Sequence, residues 1–504
     1  MTTLKPREPY SDEKLATLYP QELQLEQVQV LLRHGERTPV NARFQNAGLP
    51  KYWPYCTAAQ HMKAALLSSN DSWDHMSFRR QLETFNGKDD SSILAAGAGG
   101  ETNGVCLPGE LTDVGRRTTH ALGSRLRHLY IDRLHFLPST LSNDVQSQLY
   151  IRATPIPRAL ESVQQALSGF YPLSSRSADL EPPNIVTRQA GDETLFPNEG
   201  SCKRFGQLAV AFGERAASIW NDSPELKYVT SKIGKWMPPD SPEVKVDSHP
   251  RLSGVMDTIN STLAHGPKTK LPKEFYDQQV IDTVDRIGVE EWFAGYTESN
   301  EYRKLGIGSL VGDITARLVE RAQAASSGSV KGNEVASGKE IRFALSGCHD
   351  TTLAAILTSL GAFEGERWPP YTSHVAVELL RAKKAGITAA AAPTQSAGLW
   401  ERIFGPAQNI LKQPKSSRTP LVDLSEAERQ GLESFYVRIR YNDAVMSVPG
   451  CRPAGKHYKD DESLCTLSAF KEVVDKFTPK DWKKECGMRI GENAFPAQKE
   501  EAGY

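Results

Sequence analysis

The sequence predicts an α/β fold, a three-layer αβα core with a mainly parallel sheet, joined to a largely helical cap. Three observations lead to this prediction. Short apolar runs recur along the chain, each run is followed by turn residues, and each turn leads into an amphipathic helical pattern. Because repeated strand–turn–helix units return the chain to the same edge of a sheet, their strands are expected to be parallel.

The first unit begins with the apolar strand 27–34 and ends in a cluster of basic residues. The stretch "QVQVLLRHGERTPV" places Arg33, His34 and Arg37 within five positions. In a surface loop each group would face water, but at the mouth of a buried strand the three must share one small space. Such a cluster of positive groups favours a bound anion.

Two later units also deliver polar side chains at the ends of their strands. Strand 145–152 ends at Arg152, and strand 340–346 leads through a Ser-Gly turn to His349 and Asp350. Ligands of open α/β sheets bind beyond the carboxyl ends of the strands. We therefore expect these groups to converge with the basic cluster of the first strand.

The remaining segments complete the predicted architecture. Strands 373–380 and 434–441 alternate apolar with polar residues and are expected to pair as neighbours. Between them, 382–420 is rich in Ala, Pro, Ser and Lys and is predicted to be a disordered insertion. Residues 41–135 and 155–320 show mostly helical pattern and loop, so they are predicted to form the cap.

The bulk composition excludes several classes of function. The chain has 504 residues and a net charge of −1, so no global field favours nucleic acid or an anionic membrane. Its first residues include acids and prolines without the apolar run of a secretory signal. No window reaches the roughly 18 apolar residues of a transmembrane segment. We expect an intracellular protein, cytoplasmic or mitochondrial and not secreted, and its oligomeric state stays open.

The seven cysteines are an odd number, widely spread and without a CxxC pair. Zinc ligands and dense disulfide scaffolds usually show closer or paired spacing. The sequence therefore predicts neither, and at least one thiol stays free.

The basic cluster is suited to phosphoryl transfer. A neutral imidazole can attack phosphorus and form a phosphohistidine that water later hydrolyses. Guanidinium groups fork onto two phosphate oxygens and stabilise the transferring group. The same positive charges should lower the pKa values of His34 and Asp350, whereas a bound phosphate dianion should raise that of Asp350. An acidic pH optimum follows.

Two motifs resemble a known family. "LLRHGERTP" matches the RHGxRxP signature, and "SGCHDTTLAAI" the His-Asp signature, of the histidine acid phosphatases in the phosphoglycerate-mutase-like superfamily. The combination most resembles the lysophosphatidic acid phosphatase type. The resemblance implies chemistry without metal or cofactor and assigns these roles: nucleophile, His34; phosphate binding, Arg33, Arg37, Arg152 and His349; proton donor, Asp350.

The resemblance also sets the predicted domain, with 25–504 as the histidine phosphatase domain and 1–24 as an N-terminal extension. Cys348 departs from relatives that often carry Ala there. Cys451 and Cys465 match a pair that secreted relatives bridge, but in a reducing compartment thiols are expected. Arg158, six residues beyond Arg152, is interpreted as an ion-pairing or packing residue.

The predicted function is hydrolysis of phosphate monoesters at acidic pH, with a small phosphorylated substrate such as a lysophospholipid. A phytase-like or sugar-phosphate phosphatase is an alternative, and a phytase should have a broad pocket lined by extra Lys and Arg. A phosphoryl transferase of the mutase type is another, which the His-Asp pair disfavours. A non-catalytic phosphate-binding protein is the last, although His34 and Asp350 are both present.

Overall fold

The computed structural model describes residues 7–69, 72–327, 340–383 and 418–504. Within these ranges a nine-stranded sheet has the order β12-β13-β10-β9-β1-β8-β6-β7, with β11 paired to β10. Two small sheets, β2-β3 and β4-β5, stand apart from it. The strands are β1 Leu23–Arg33, β2 His61–Ser69, β3 Ser72–Arg79, β4 Glu83–Phe85, β5 Ser92–Leu94, β6 Leu149–Ala153, β7 Ile185–Val186, β8 Phe343–Cys348, β9 His374–Ala382, β10 Phe435–Tyr441, β11 Ala444–Met446, β12 His457–Tyr458 and β13 Asp461–Thr466.

Helices cover both faces of the central sheet, which confirms the predicted three-layer core. Helices α2 and α4 lie on one face, and α10, α11 and α13 lie on the other. No helix of the described ranges has the length and apolar character needed to span a bilayer. The helices are α1 Asp12–Leu18, α2 Asp113–Arg127, α3 Asn143–Ser147, α4 Pro157–Phe170, α5 Lys203–Trp220, α6 Pro224–Ile233, α7 Leu252–Leu263, α8 Gln278–Glu298, α9 Asn300–Arg303, α10 Ser309–Ser327, α11 Asp350–Ser359, α12 Glu426–Gln430, α13 Leu467–Asp475 and α14 Trp482–Cys486.

Strand β1 lies at the centre of the sheet and sets the position of the site. It runs parallel to β8, with Arg33 opposite Cys348, and β8 runs parallel to β6, with Gly347 opposite Ala153. On its other side β1 is antiparallel to β9, and β9 pairs with β10 as predicted. The ends of the three predicted site strands therefore meet at one edge.

A group of helices, α5 to α9, forms the predicted helical cap, but two parts of the predicted cap ranges behave differently. Residues 61–69 pair with 72–79, and residues 83–85 pair with 92–94, as strands instead of helices. Helices α2 and α4 pack against each other and against the sheet. The reason is their apolar stripes, such as Leu122 and Leu126 on α2, which are buried with sheet residues.

The predictions for the insertion 382–420 and for the N-terminal extension have different outcomes. The predicted insertion 382–420 falls mostly on 384–417, which lie outside the described residues. In the N-terminal extension, α1 is docked on the core because Leu15 and Leu18 are buried in the cluster that holds α2 and α4.

The prediction of at least one free thiol is confirmed by Cys348, whereas the expectation that Cys451 and Cys465 stay thiols is wrong. Three disulfides form, Cys56–Cys106, Cys202–Cys486 and Cys451–Cys465. The bonded cysteines lie up to 284 residues apart in the sequence, so no short sequence pattern predicts the pairing. The intracellular location stays a prediction. Cys348 is a free, buried thiol, and burial raises its pKa to about 12.

Candidate active site

His34 lies at the carboxyl end of β1 and is buried. Its Nδ1 is 2.9 Å from the carbonyl oxygen of Gly35, which only accepts, so Nδ1 carries the proton and Nε2 keeps a lone pair. Burial, followed by the charges of Arg158, Arg33 and Arg37, lowers the pKa of His34 well below its usual value. The imidazole therefore stays neutral in mild acid, and its role as the nucleophile stays a prediction.

The glycine that follows His34 is required by close packing. A Cβ on Gly35 would lie 2.3 Å from the carbonyl oxygen of Gly115, and a Cβ on Gly115 would lie 2.3 Å from that of Glu36. Gly35 also donates its backbone N–H to Ser162 Oγ at 3.0 Å. These contacts hold the His34 loop between α2 and α4.

Arg33 joins the two sequence motifs. Its Nη2 is 2.8 Å from Asp350 Oδ2, and its Nη1 donates to the carbonyl oxygen of Pro369 at 2.5 Å. The guanidinium lies 4.1 Å from the ring centre of Tyr371, and Nε is buried without a hydrogen-bond partner among the described residues. This charge is thus held rigidly beside His34.

Arg37 is held by the cap. Its Nη1 donates to Asp257 Oδ1 of α7 at 2.6 Å and to the carbonyl oxygen of Thr38 at 3.0 Å. Asp257 also accepts from Arg43 at 3.2 Å. The Nε of Arg37 is buried without a partner in the described ranges. The cap therefore orients one of the guanidinium groups of the core.

His349 and Asp350 begin α11 on the opposite side of the site. His349 Nε2 lies 3.1 Å from Thr154 Oγ1, and its ring centre is 5.5 Å from that of His34. Trp368 Nε1 donates to Asp350 Oδ2 at 2.9 Å. Burial would raise the pKa of Asp350, but Arg33, the Trp368 hydrogen bond and Arg37 together lower it. Burial and Arg158 lower the pKa of His349 to about 3.

The structure does not bring Arg152 to this site. Its Nη2 is 2.5 Å from Glu193 Oε1, and both side chains are fully buried. Arg158, at the start of α4, is instead the charged group with the largest influence on His34 and His349. Its Nε is buried without a partner within the described residues. Arg158 therefore replaces Arg152 as the third candidate phosphate ligand.

The register of the sheet explains this exchange. Arg33 lies opposite Cys348, and Ala153 lies opposite Gly347, so the residue at the height of Arg33 is Thr154, directly after β6. Arg152 lies two residues before that edge, and its guanidinium pairs with Glu193. The turn "RATPIPR" supplies a second arginine, Arg158, six residues later. This second arginine is the feature of the sequence that could have indicated the alternative site residue.

A family comparison agrees with this arrangement of motifs. The model of the histidine phosphatase superfamily, branch 2, matches residues 24–413. The chain belongs to this family. The resemblance predicted from the two motifs is confirmed.

Curated relatives of this histidine phosphatase support the same class. It is 38% identical to a probable acid phosphatase of Schizosaccharomyces pombe, over 93% of this chain and 95% of that protein. It is 28% identical to human lysophosphatidic acid phosphatase type 6, over 55% of this chain and 58% of that protein. The family and the first relative make the chain a histidine acid phosphatase, an enzyme of phosphate monoester hydrolysis, as predicted.

Solved structures resemble this histidine phosphatase in fold. A Hafnia alvei phytase in its apo form matches with a TM-score of 0.51 at 14% identity, over 93% of this chain and 99% of that one. A Bifidobacterium longum multiple inositol polyphosphate phosphatase matches with a TM-score of 0.51 at 11% identity, over 92% and 96%. At such identities the likeness shows the fold alone, and it confirms the predicted α/β core with a helical domain.

Separate substitutions at the two arginines of this histidine phosphatase are expected to give opposite results. Arg158→Ala removes the third candidate phosphate ligand, so kcat/KM should fall about 10² to 10³-fold with the fold retained. Arg152→Ala leaves Glu193 buried and unpaired, which should cost about 3–5 kcal/mol of unfolding free energy with turnover of the folded protein retained. Turnover of p-nitrophenyl phosphate and urea unfolding measure both. Full activity in Arg158→Ala would contradict this assignment.

A metal site is not evident in the described part of this histidine phosphatase. The side chains spaced closely enough to hold an ion there are Cys56, Cys106 and Glu110. The two cysteines are bonded to each other, so neither offers the thiolate that zinc requires. Metal-free catalysis stays a prediction, and activity in a chelator tests it.

Proposed function

We propose that His34 attacks the phosphorus of a phosphate monoester while Asp350 protonates the leaving oxygen. As the His34 Nε2–P bond forms, the P–O bond to the alcohol breaks and the alcohol departs with the proton of Asp350. Water then attacks the phosphohistidine, Asp350 takes its proton, and inorganic phosphate and neutral His34 are released. The observation that carries this proposal is the neutral His34 Nε2 set among three guanidinium groups whose Nε atoms have no partner in the described ranges.

The electrostatics of the site favour acidic conditions. In the free enzyme Arg33 and Trp368 keep Asp350 ionised by lowering its pKa. A phosphate dianion bound to the arginines cancels part of their charge, and its own charge raises the pKa of Asp350. Protonation of Asp350 therefore accompanies substrate binding in acid, whereas His34 stays neutral there.

We further propose that the leaving group is uncharged and partly apolar, as in lysophosphatidic acid. A cavity of about 410 Å³ begins at Thr351, the residue after Asp350, and extends between α5 and α8. Aromatic rings including Trp292 line it, and four carboxylates face one arginine, Arg251, and one histidine. Such a lining would repel a leaving group that carries further phosphates. The printed names of several relatives, lysophosphatidic acid phosphatase type 6, support the same substrate.

A substrate panel tests this proposal at pH 5 with EDTA present. Release of inorganic phosphate should be at least about tenfold more efficient, in kcat/KM, from lysophosphatidic acid than from inositol hexakisphosphate or glucose 6-phosphate. Trp292→Ser should raise KM for lysophosphatidic acid and leave that for p-nitrophenyl phosphate unchanged. Preference for inositol hexakisphosphate would contradict the proposed substrate. Transfer to an alcohol without phosphate release would favour a mutase, and binding without turnover a non-catalytic protein.

A further inference from the structure

Tyr371 is a buried aromatic residue beside the arginine cluster, and neither of the two sequence motifs contains it. The guanidinium of Arg33 lies over its ring at 4.1 Å from the ring centre, and that of Arg37 lies over it at 5.7 Å. The ring centre of His34 is 5.9 Å away. Tyr371 therefore lies next to three of the residues on which the proposed chemistry depends.

The backbone of the loop that carries Tyr371 fixes the position of its ring. Arg33 N donates to the carbonyl oxygen of Ser373 at 2.8 Å. Thr372 N donates to the carbonyl oxygen of the residue after Arg33 at 3.2 Å. Arg33 Nη1 donates to the carbonyl oxygen of Pro369 at 2.5 Å. Because these hydrogen bonds join both sides of Tyr371 to the end of β1, the ring is in place before any substrate binds.

The hydroxyl of Tyr371 reaches the cap. Its oxygen is 3.1 Å from Ser261 Oγ, and both side chains are fully buried. Ser261 lies four residues after Asp257 on α7, and Asp257 is the carboxylate that holds Arg37. Positions four apart lie on the same face of a helix. One face of α7 therefore holds both Arg37 and the ring beside it.

The arginine cluster has an electrostatic cost in the absence of substrate. The guanidinium groups of Arg33, Arg37 and Arg158 share one buried site, and like charges repel more strongly where water is scarce. Asp350 pairs with the first of these groups and Asp257 with the second. A further carboxylate would occupy the N–H groups that phosphate needs, whereas the negative face of an aromatic ring attracts the charge and uses none of them. The Nε atoms of all three arginines have no hydrogen-bond partner in the described part of the chain.

We propose that Tyr371 is a positioning residue that holds Arg33 and Arg37 in place for the phosphoryl group. This role rests on the proposed function, in which these arginines bind phosphate. The ring acts on the substrate through the two guanidinium groups, because its negative face offsets part of their repulsion and limits their movement. Loss of the ring should therefore weaken the binding of phosphate, since part of the binding energy would be spent on assembling the site.

Binding of inorganic phosphate to the full-length protein, measured by calorimetry at pH 5, tests this role. Tyr371→Leu should raise the Kd for phosphate about tenfold, and KM for p-nitrophenyl phosphate should rise with it. Tyr371→Phe keeps the ring and should recover most of that loss.

The matched control is Tyr171→Leu, which removes another fully buried tyrosine. Tyr171 follows α4, at the opposite end of that helix from Arg158, and its hydroxyl donates to the carbonyl oxygen of Pro138 at 3.0 Å. The control should lose stability in urea, as Tyr371→Leu does, because both variants leave a cavity. Its Kd for phosphate should equal that of the wild type.

A further variant keeps the shape of the ring and changes its charge distribution. Pentafluorophenylalanine in place of Tyr371 fills nearly the same space as phenylalanine, but its fluorine atoms withdraw electron density from the ring face. The Kd for phosphate should be about fivefold or more above that of Tyr371→Phe. Since neither variant leaves a cavity, the comparison holds even where Tyr371→Leu fails to fold.

Three outcomes would overturn the role of Tyr371. One is a Kd in Tyr371→Leu equal to that of the wild type, and another is an equal rise of Kd in Tyr171→Leu. The third is a fluorinated variant that binds phosphate as well as Tyr371→Phe does. A wild type that binds phosphate but does not hydrolyse p-nitrophenyl phosphate would contradict the proposed catalysis alone, and the Kd values would still decide the role of Tyr371. A wild type that binds no phosphate would overturn both.

Discussion

His34→Ala is expected to lower kcat for p-nitrophenyl phosphate at least about 10⁴-fold at pH 5 in EDTA. The variant lacks the nitrogen that forms the phosphoryl bond, and the surrounding arginines cannot replace it. Its fold should be retained, because the side-chain hydrogen bond of His34 is made to its own neighbour, Gly35. Rapid mixing with a ³²P-labelled ester, followed by a quench in alkali, should trap labelled protein from the wild type and none from the variant.

A second histidine variant controls for effects of replacing a histidine that are unrelated to the site. His120 is exposed on α2 and lies outside the site, so His120→Ala should keep wild-type turnover and labelling. Labelled protein from His34→Ala would place the nucleophile on another residue. Turnover of His34→Ala above about a tenth of wild type would do the same.

Glu378→Gln is expected to lower the free energy of unfolding by about 3–5 kcal/mol. Glu378 is fully buried on β9, and its two oxygens receive hydrogen bonds from Arg438 and Arg440 on β10 and from the hydroxyls of Tyr19 and Tyr130. The distances are 2.6 to 3.2 Å. The neutral amide would remove the counter-charge of Arg438 and would leave Arg440 with the more distant Asp443, at 3.5 Å. Urea unfolding at pH 7 measures the loss.

The same pair of proteins should differ in their response to acid. Burial opposes ionisation of Glu378, but Arg438 and Arg440 lower its pKa to about 2, from 4.5. A lowered carboxyl pKa stabilises the fold above the unfolded value, and that contribution is lost as the pH falls towards the folded value. The difference between wild type and Glu378→Gln should therefore be full above about pH 5 and shrink between pH 5 and 2. Glu22→Gln, an exposed control, should change stability by less than about 0.5 kcal/mol.

The sequence predicts which residues come together where the motif directly follows its strand. Arg33, His34, His349 and Asp350 each follow a run of apolar residues, and parallel strands carry such ends to one edge. Arg152 satisfied the same pattern, but its level in the sheet depends on the pairing of β6 with β8, which no local pattern contains. Arg152 lies two positions before the end of the strand pair, and its side chain pairs with Glu193.

Long-range pairing accounts for the other differences. The alternation of "SFYVRIRY" does not show what Arg438 and Arg440 contact, and both are buried beside Glu378 of the neighbouring strand. The disulfide Cys202–Cys486 likewise joins positions that share no segment of sequence. The sequence shows which residues are charged and which are cysteines. Which residues they pair with depends on the folded structure.

The pairing of β1 with β8 also bears on the order of folding during synthesis. His34 leaves the ribosome long before Phe343, the first residue of the strand that pairs with β1. Contacts of such high sequence separation form late and slowly. Until then β1, whose apolar side chains are still uncovered, has an open edge that favours association with other chains. We expect nascent chains that stop before β8 to depend on chaperones and to hold no phosphate.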